Sequence, residues 1–304
     1  MFKRNAIALL ITMFFIMAIT ITIGVSLGNI NSAKENLSSE KFLLQTTAVL
    51  NDMMKILKET PELDDINDTQ TFRAFLLQYS TVVPLSTDMM VEVKLESARS
   101  KFSFNALQDN NTTEEGSAVK NALMGYFSAK MINSEYVYLL EDLTGGIKED
   151  GMYNSALFDD NPYLFRDYIS SDEQIKELNE YYKKTYHDNS VAHINLHKIF
   201  NFGNYKNSSY VIDLNFVNRD VFNIMSGKYY EQENTASADD NFFVDCDKLT
   251  AEEKEDLERK FNASCDLQKI IAVTLFITQD KQNAEIKFEY NIKTKKGSNF
   301  VYKI

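Results

Sequence analysis

The sequence predicts an α+β protein in which one long N-terminal helix packs on an antiparallel sheet and a large helical insertion domain completes the head. Three observations predict it. An uncharged, almost wholly apolar run from Ala6 to Leu27 passes into an amphipathic stretch that contains neither Gly nor Pro between Gly28 and Pro61. Apolar and polar residues alternate in Met89–Ser97 and again in three C-terminal segments, the period of half-buried strands. Between them, from Ala118 to about Met225, apolar residues recur with helical spacing.

The N-terminal element comes first. Lys3 and Arg4 precede the apolar run, and no further charge occurs until Lys34. About 20 apolar residues at a rise of 1.5 Å span a bilayer's hydrocarbon core, so residues 7–28 read as a transmembrane half-helix. A secretory signal peptide has a shorter apolar region, about 7–15 residues, and a small-x-small cleavage site that the residues near Gly28 and Ala33 match poorly. The two basic residues place the N-terminus in the cytoplasm and the bulk of the chain outside it. The helix then continues as an amphipathic half over 29–60. Leu37, Leu44, Ala48, Leu50, Met54 and Leu57 are read as its apolar stripe, and Pro61 terminates it. A helix from Ile7 to Glu59 is about 80 Å long.

Residues 61–117 read as the first part of the head: a loop, a short helix around Thr71–Tyr79, a turn at Pro84, and a strand over 89–97 whose hairpin partner is the returning arm 100–108. Residues 118–228 form the helical insertion. Its expected helices cover 117–143, 161–169, 171–186 (opened by Ser171 with Gln174 three residues on) and 191–202. Residues 229–304 comprise a loop closed by Cys246 and Cys265 and then a three-stranded meander over 269–279, 284–293 and 299–304. In an oxidising compartment the two cysteines read as a disulfide; two unrelated thiols are the alternative.

Several phrases are similar to those of a known family. A short basic leader, an apolar half-helix and an amphipathic half-helix on a globular head resemble the type IV pilin superfamily. Residues 1–6 stand where that superfamily has its prepilin leader, with Ala6 at the cleavage position and Ile7 as the new N-terminus. The start Ile7-Ala8-Leu9-Leu10-Ile11-Thr12-Met13 resembles that of the minor pseudopilin K family of type II secretion systems. Major pilins carry Glu at the fifth mature position; Ile11 stands there, as an apolar residue does in pseudopilin K. Lys101-Phe102-Ser103-Phe104-Asn105-Ala106-Leu107 and the phrase from Val211 to Phe222 are further similarities, with Asn215 and Asn218 as a turn residue and a helix cap.

The resemblance implies a structural subunit at the tip of a type II secretion pseudopilus, or of a related pilus or DNA-uptake fibre, that initiates or caps assembly by contact. A subunit without the fifth-position carboxylate offers none to the subunit above, which suits a tip. Implied partners are other minor pseudopilins, the inner-membrane assembly platform and prepilin peptidase. The implied location is the bacterial inner membrane, single-pass, with the head in the periplasm and a role in protein transport. The alternative is a membrane-anchored periplasmic binding or sensing module.

Catalytic patterns are lacking: the sequence has no Gly-x-Ser-x-Gly elbow, phosphate loop or Cys-x-x-Cys, and no enzyme is expected. His193 and His197, at i and i+4, would share a helix face, yet no third ligand accompanies them and no metal is assigned. The family's insertion carries an acidic phrase associated with calcium. Only Glu141-Asp142-Leu143 stands near that place, and the oxygen-rich clusters Glu149-Asp150 and Asp159-Asp160-Asn161 lack EF-hand spacing. No cofactor is therefore assigned, with calcium the one to test. Asn67 and Asn111 lie in acidic-x-Asn-x-Thr sequons and are candidate glycosylation acceptors. The formal charge of −12 argues against nucleic acid, which demands a surplus of Lys and Arg.

Overall fold

The computed structural model describes residues 37–303 apart from 87, 108–113, 149–150, 168, 170–171, 204, 206–209, 229–243 and 281. The first described element is helix α1, over 37–59, built from good helix formers and stopped where Pro61 removes a backbone donor. It buries Phe42, Thr46, Leu50 and Leu57, with Val49, Met53 and Met54 packed beside them. The stripe differs from the one expected: Leu37, Leu44 and Ala48 are exposed. At 3.6 residues per turn they sit about half a turn from the 42/46/49/53 line, so one apolar pattern covers two faces and only packing distinguishes them.

After a 3₁₀ turn at Pro61–Leu63, helix α2 (Thr69–Gln78) begins where Asp68 accepts the Thr71 N–H at 2.8 Å, a cap that also holds the Asp68 carboxyl below its ordinary value. Phe72, Phe75 and Leu76 join the core beneath α1. Strand β1 (Thr81–Pro84), where the sequence suggested only a turn, pairs antiparallel with β2 (Met89–Ser97).

The chain then leaves the sheet. The expected hairpin return at 100–108 does not form; β3 (Phe102–Ser103) instead pairs in parallel with β4 (Phe200–Asn201), which follows five further α-helices. Phe102, Ser103 and Phe104 are all buried, and a hairpin arm with one wet face could not bury consecutive residues. Helix α3 (Glu114–Ala129) and helix α4 (Glu135–Thr144) replace the single helix expected over 117–143, the break falling at Met131, whose φ is +62°. Helix α5 is the single turn Leu157–Asp160, and the expected helix over 161–169 is absent among the described residues there. Helix α6 (Asp172–Tyr186) buries Ile175, Leu178 and Tyr182, whose hydroxyl, desolvated and beside Asp188, is pushed up to about 12.

A 3₁₀ turn at Ser190–His193 and the short helix α7 (Leu196–Ile199) lead into β4, so His193 and His197 belong to different elements rather than one helix face. Strand β5 (Ile212–Asp213) precedes helix α8 (Arg219–Ser226), capped by Asn218 accepting the Val221 N–H at 2.9 Å and ended by Gly227 at φ +70°. Helix α9 (Ala251–Phe261) opens with a Thr250/Glu253 capping box and is followed by β6 (Ala263–Ser264), which pairs in parallel with β5. These elements share one apolar core from Phe102 to Ala263, reaching beyond 118–228 on both sides.

The chain returns as the expected meander: β7 (Ile270–Gln279), β8 (Gln282–Asn291) and β9 (Lys296–Lys303). β7 inserts beside β2, giving one five-stranded antiparallel sheet in the order β1-β2-β7-β8-β9. Ile271, Val273, Leu275 and Ile277 alternate onto the face covered by α1, together with Ala284, Ile286 and Phe288 from β8. Gly297 permits the close approach of β9 to α1; a Cβ there would lie 2.8 Å from the Met54 Cε.

Candidate assembly surfaces and the sheet–insertion cleft

Two polar ties are among those that hold the insertion to the sheet and to α2. The larger surrounds Glu289 on β8. Its carboxylate receives Arg99 Nη1 at 2.9 Å and Nη2 at 3.2 Å, Asn201 Nδ2 at 3.2 Å and Asn299 Nδ2 at 3.1 Å. The Tyr205 hydroxyl also donates to it. Arg99 lies over the Tyr210 ring at 4.4 Å. Burial alone would lower the guanidinium's pKa, and the adjacent carboxylate more than restores it. Burial drives the Tyr205 and Tyr210 hydroxyls well above the usual phenol range, which keeps both as neutral donors. The second tie runs from α2: Arg73 Nη2 donates to the Asn215 carbonyl at 2.6 Å, and Phe72 packs edge-on against Phe216 at 5.2 Å.

Beside the Glu289 tie, the sheet's outer face and the insertion line a cleft of about 850 Å³. Strand register makes its floor a set of transverse rows. One reads Phe276, Glu285, Lys303; the next Lys94, Thr274, Lys287, Val301; the third Glu96, Ala272, Glu289. Acidic positions thus flank a basic row. At the rim Asp172 of α6 receives Lys303 Nζ at 3.0 Å and lies 3.0 Å from His197 Nε2. Burial of Asp172 opposes its ionisation, but Lys303 and His197 outweigh it and leave the carboxyl below its ordinary value.

Three surfaces are apolar and exposed. The back of α1 presents Leu37 and Leu44, 67% and 72% exposed, opposite its buried face. Edge strand β1 is exposed along its whole length and continues into Leu85, with Met90 beside it. Phe300, Val301 and Tyr302 lie on the other edge strand, β9. An edge strand with free N–H and C=O groups and apolar side chains is a pairing template.

The sequence-derived positions divide as follows. Ala6, Ile7 and Ile11, and the apolar run 7–28, lie outside the described residues, as does Asn111; among the described residues no helix is long and apolar enough to cross a membrane. Cys246 and Cys265 are joined by a disulfide, their Cα atoms 5.9 Å apart. Asn67 is exposed in the loop before α2, its Nδ2 donating to the Asp65 carbonyl at 3.2 Å.

Several of the residues weighed for calcium are engaged within the chain. Asp142 is buried and accepts the Asn154 and Ser155 N–H groups, both at 2.9 Å, while Glu141 pairs with Lys120 at 2.6 Å. Asp160 accepts the Tyr181 hydroxyl at 3.0 Å, and Glu149 and Asp150 lie outside the described residues. Asn215 donates to the Cys265 carbonyl at 2.8 Å as well as to Asp213, tying the disulfide to β5. Sequence reasoning did not single out Arg99 or Glu289, 190 positions apart, because nothing local pairs them.

No protein-family model and no curated protein matches the sequence. Among solved structures, one from the GspK–GspI–GspJ complex of the type 2 secretion system of enterotoxigenic Escherichia coli is similar, with a TM-score of 0.53 at 13% sequence identity. The match covers 89% of this chain and 98% of that one. Identity this low makes the likeness one of fold: the chain shares the α+β architecture of that solved chain.

Proposed function

We propose that the chain is a minor pseudopilin-like subunit, resembling pseudopilin K, that sits at the tip of a type II secretion pseudopilus or related fibre and initiates or caps its assembly. The observation that carries this reading is the two-faced helix α1. One face is consumed by the sheet, while Leu37 and Leu44 leave an apolar line on the opposite face, in a helix that follows the apolar run 7–28 in sequence. A monomer gains nothing from apolar side chains on the outer side of its spine; a subunit that packs helix against helix does. The pseudopilin-like fold supports the same reading. So does the size of the insertion, a body large enough to obstruct a further subunit.

The work is done by contact, with no substrate turned over, and other minor pseudopilins are the intended neighbours. The head would stand in the periplasm, where the disulfide is stable, and the N-terminal run in the inner membrane.

The decisive experiment is the N-terminal mass of the protein from its native membrane, with and without prepilin peptidase. A chain beginning at Ile7 only when the peptidase is present is the expected result. An intact Met1 in both strains overturns the proposal and leaves an anchored binding module. Leu44→Lys in the processed protein should leave the head folded and abolish incorporation into the fibre.

A further inference from the structure

Among the described residues, the cleft holds a cation with no bonded counter-charge. Lys101 follows β2 and its side chain is half-buried at the cleft; among the described residues its ammonium group makes no hydrogen bond or ion pair. Burial depresses its pKa, Lys94 and Lys287 act in the same direction, and only Glu96 opposes them. An ammonium group held in this way is costly unless an anion joins it.

The carboxylates of the cleft do not fill that role. Glu289 is taken by Arg99, and Asp172 by Lys303 and His197. Lys94 pairs with Glu96 at 3.1 Å and Lys287 with Glu285 at 2.8 Å, each between neighbours on one strand face, with both lysines about half exposed. Exposed pairs of this kind contribute little, because water screens them. An incoming carboxylate can therefore recruit both lysines at little cost and give Lys101 its missing partner.

We propose that the cleft between the sheet and the insertion binds an acidic extended peptide segment of a partner protein, its carboxylates received by Lys94, Lys101 and Lys287. The segment crosses the strands along the basic row, and Glu285 on one side and Glu96 on the other oppose a carboxylate that leaves that track. Phe202 on the insertion wall and Phe276 on the floor accept apolar residues between the acidic ones, which a bare inorganic anion could not use. The volume, about 850 Å³, falls within the range of binding clefts. This inference is independent of the fibre reading, since it is tested on the isolated chain.

The test uses the full chain in detergent and a fluorescein-labelled peptide, Glu-Phe-Asp-Phe-Glu with blocked termini, followed by anisotropy. The expected result is saturable binding that the Gln-Phe-Asn-Phe-Gln counterpart lacks and that weakens about tenfold in Lys101→Met. Lys254→Met, on α9 and away from the cleft, should bind as the parent does. Should Lys101→Met fail to fold, Lys287→Met carries the same expectation. Equal binding of the neutral peptide, or unchanged binding in the cleft variants, overturns the proposal. Acetate or inorganic phosphate displacing the probe as effectively as unlabelled peptide would assign the cleft to a small free anion and overturn the peptide assignment.

Discussion

Replacing Glu289 by Gln keeps the side chain's shape and removes its charge, and the consequence follows from the donors around it. Each carboxylate oxygen faces donors only: Arg99 Nη1, Asn201 Nδ2 and the Tyr205 hydroxyl on Oε1, Arg99 Nη2 and Asn299 Nδ2 on Oε2. The amide NH₂ must replace one oxygen. Its better orientation is at the Oε2 position, which loses two hydrogen bonds and leaves Arg99 buried without a counter-charge. The two side chains are 7% and 6% exposed, so water does not screen the loss.

Breaking one side of a buried pair of this kind costs about 3–5 kcal/mol, a large share of the ~5–15 kcal/mol that stabilises a typical protein. Urea unfolding of the full chain in detergent, followed by far-UV circular dichroism because the sequence has no Trp, measures it. The paired replacement Arg99→Met with Glu289→Leu should recover most of the loss, since it leaves no charge unpaired. A Glu289→Gln protein within about 1 kcal/mol of the parent would place the pair in the class of exposed ion pairs and refute the reasoning. So would a double variant no more stable than the single.

Reduction of the Cys246–Cys265 disulfide, or its replacement by Ser at both positions, should lower stability by about 3 kcal/mol, the loop-closure term for a ring with a sequence separation of 19; unfolding with and without dithiothreitol checks this. For His197, burial lowers the folded-state pKa below 6.5 despite Asp172, with Lys287 and Lys101 adding to the effect. The unfolded chain then binds more protons in the window just below 6.5, so this contribution is present above it and lost as pH falls through the folded value. The urea midpoint should drop between pH 7.5 and 5, and His197→Gln should flatten that part of the curve.

Local signals in the sequence were decisive where chain neighbours do the work. The meander was legible because β7, β8 and β9 alternate and are separated by polar turns. Pro61 marked the end of α1, Asn218 capped α8, and the two cysteines found each other across a short helical excursion. Elements whose partners lie far away in the chain were not legible. The segment 100–108 alternates as a hairpin arm would, but its side chains find a larger apolar core in the insertion, and β7, arriving 172 residues after Ala98, takes the place beside β2.

The sequence by itself determined the α+β class, the amphipathic helix and the helical body, since each rests on periodicity, and it left the two cysteines as a disulfide or as free thiols, which the structure joins. Only the tertiary structure decided which apolar line of α1 is buried and which is left for a partner. It also brought Arg99 to Glu289 and arranged Lys94, Lys101 and Lys287 around one cleft. Helical periodicity specifies that a face is apolar but not what covers it, and charges separated by many residues meet only when packing has fixed the distance between them.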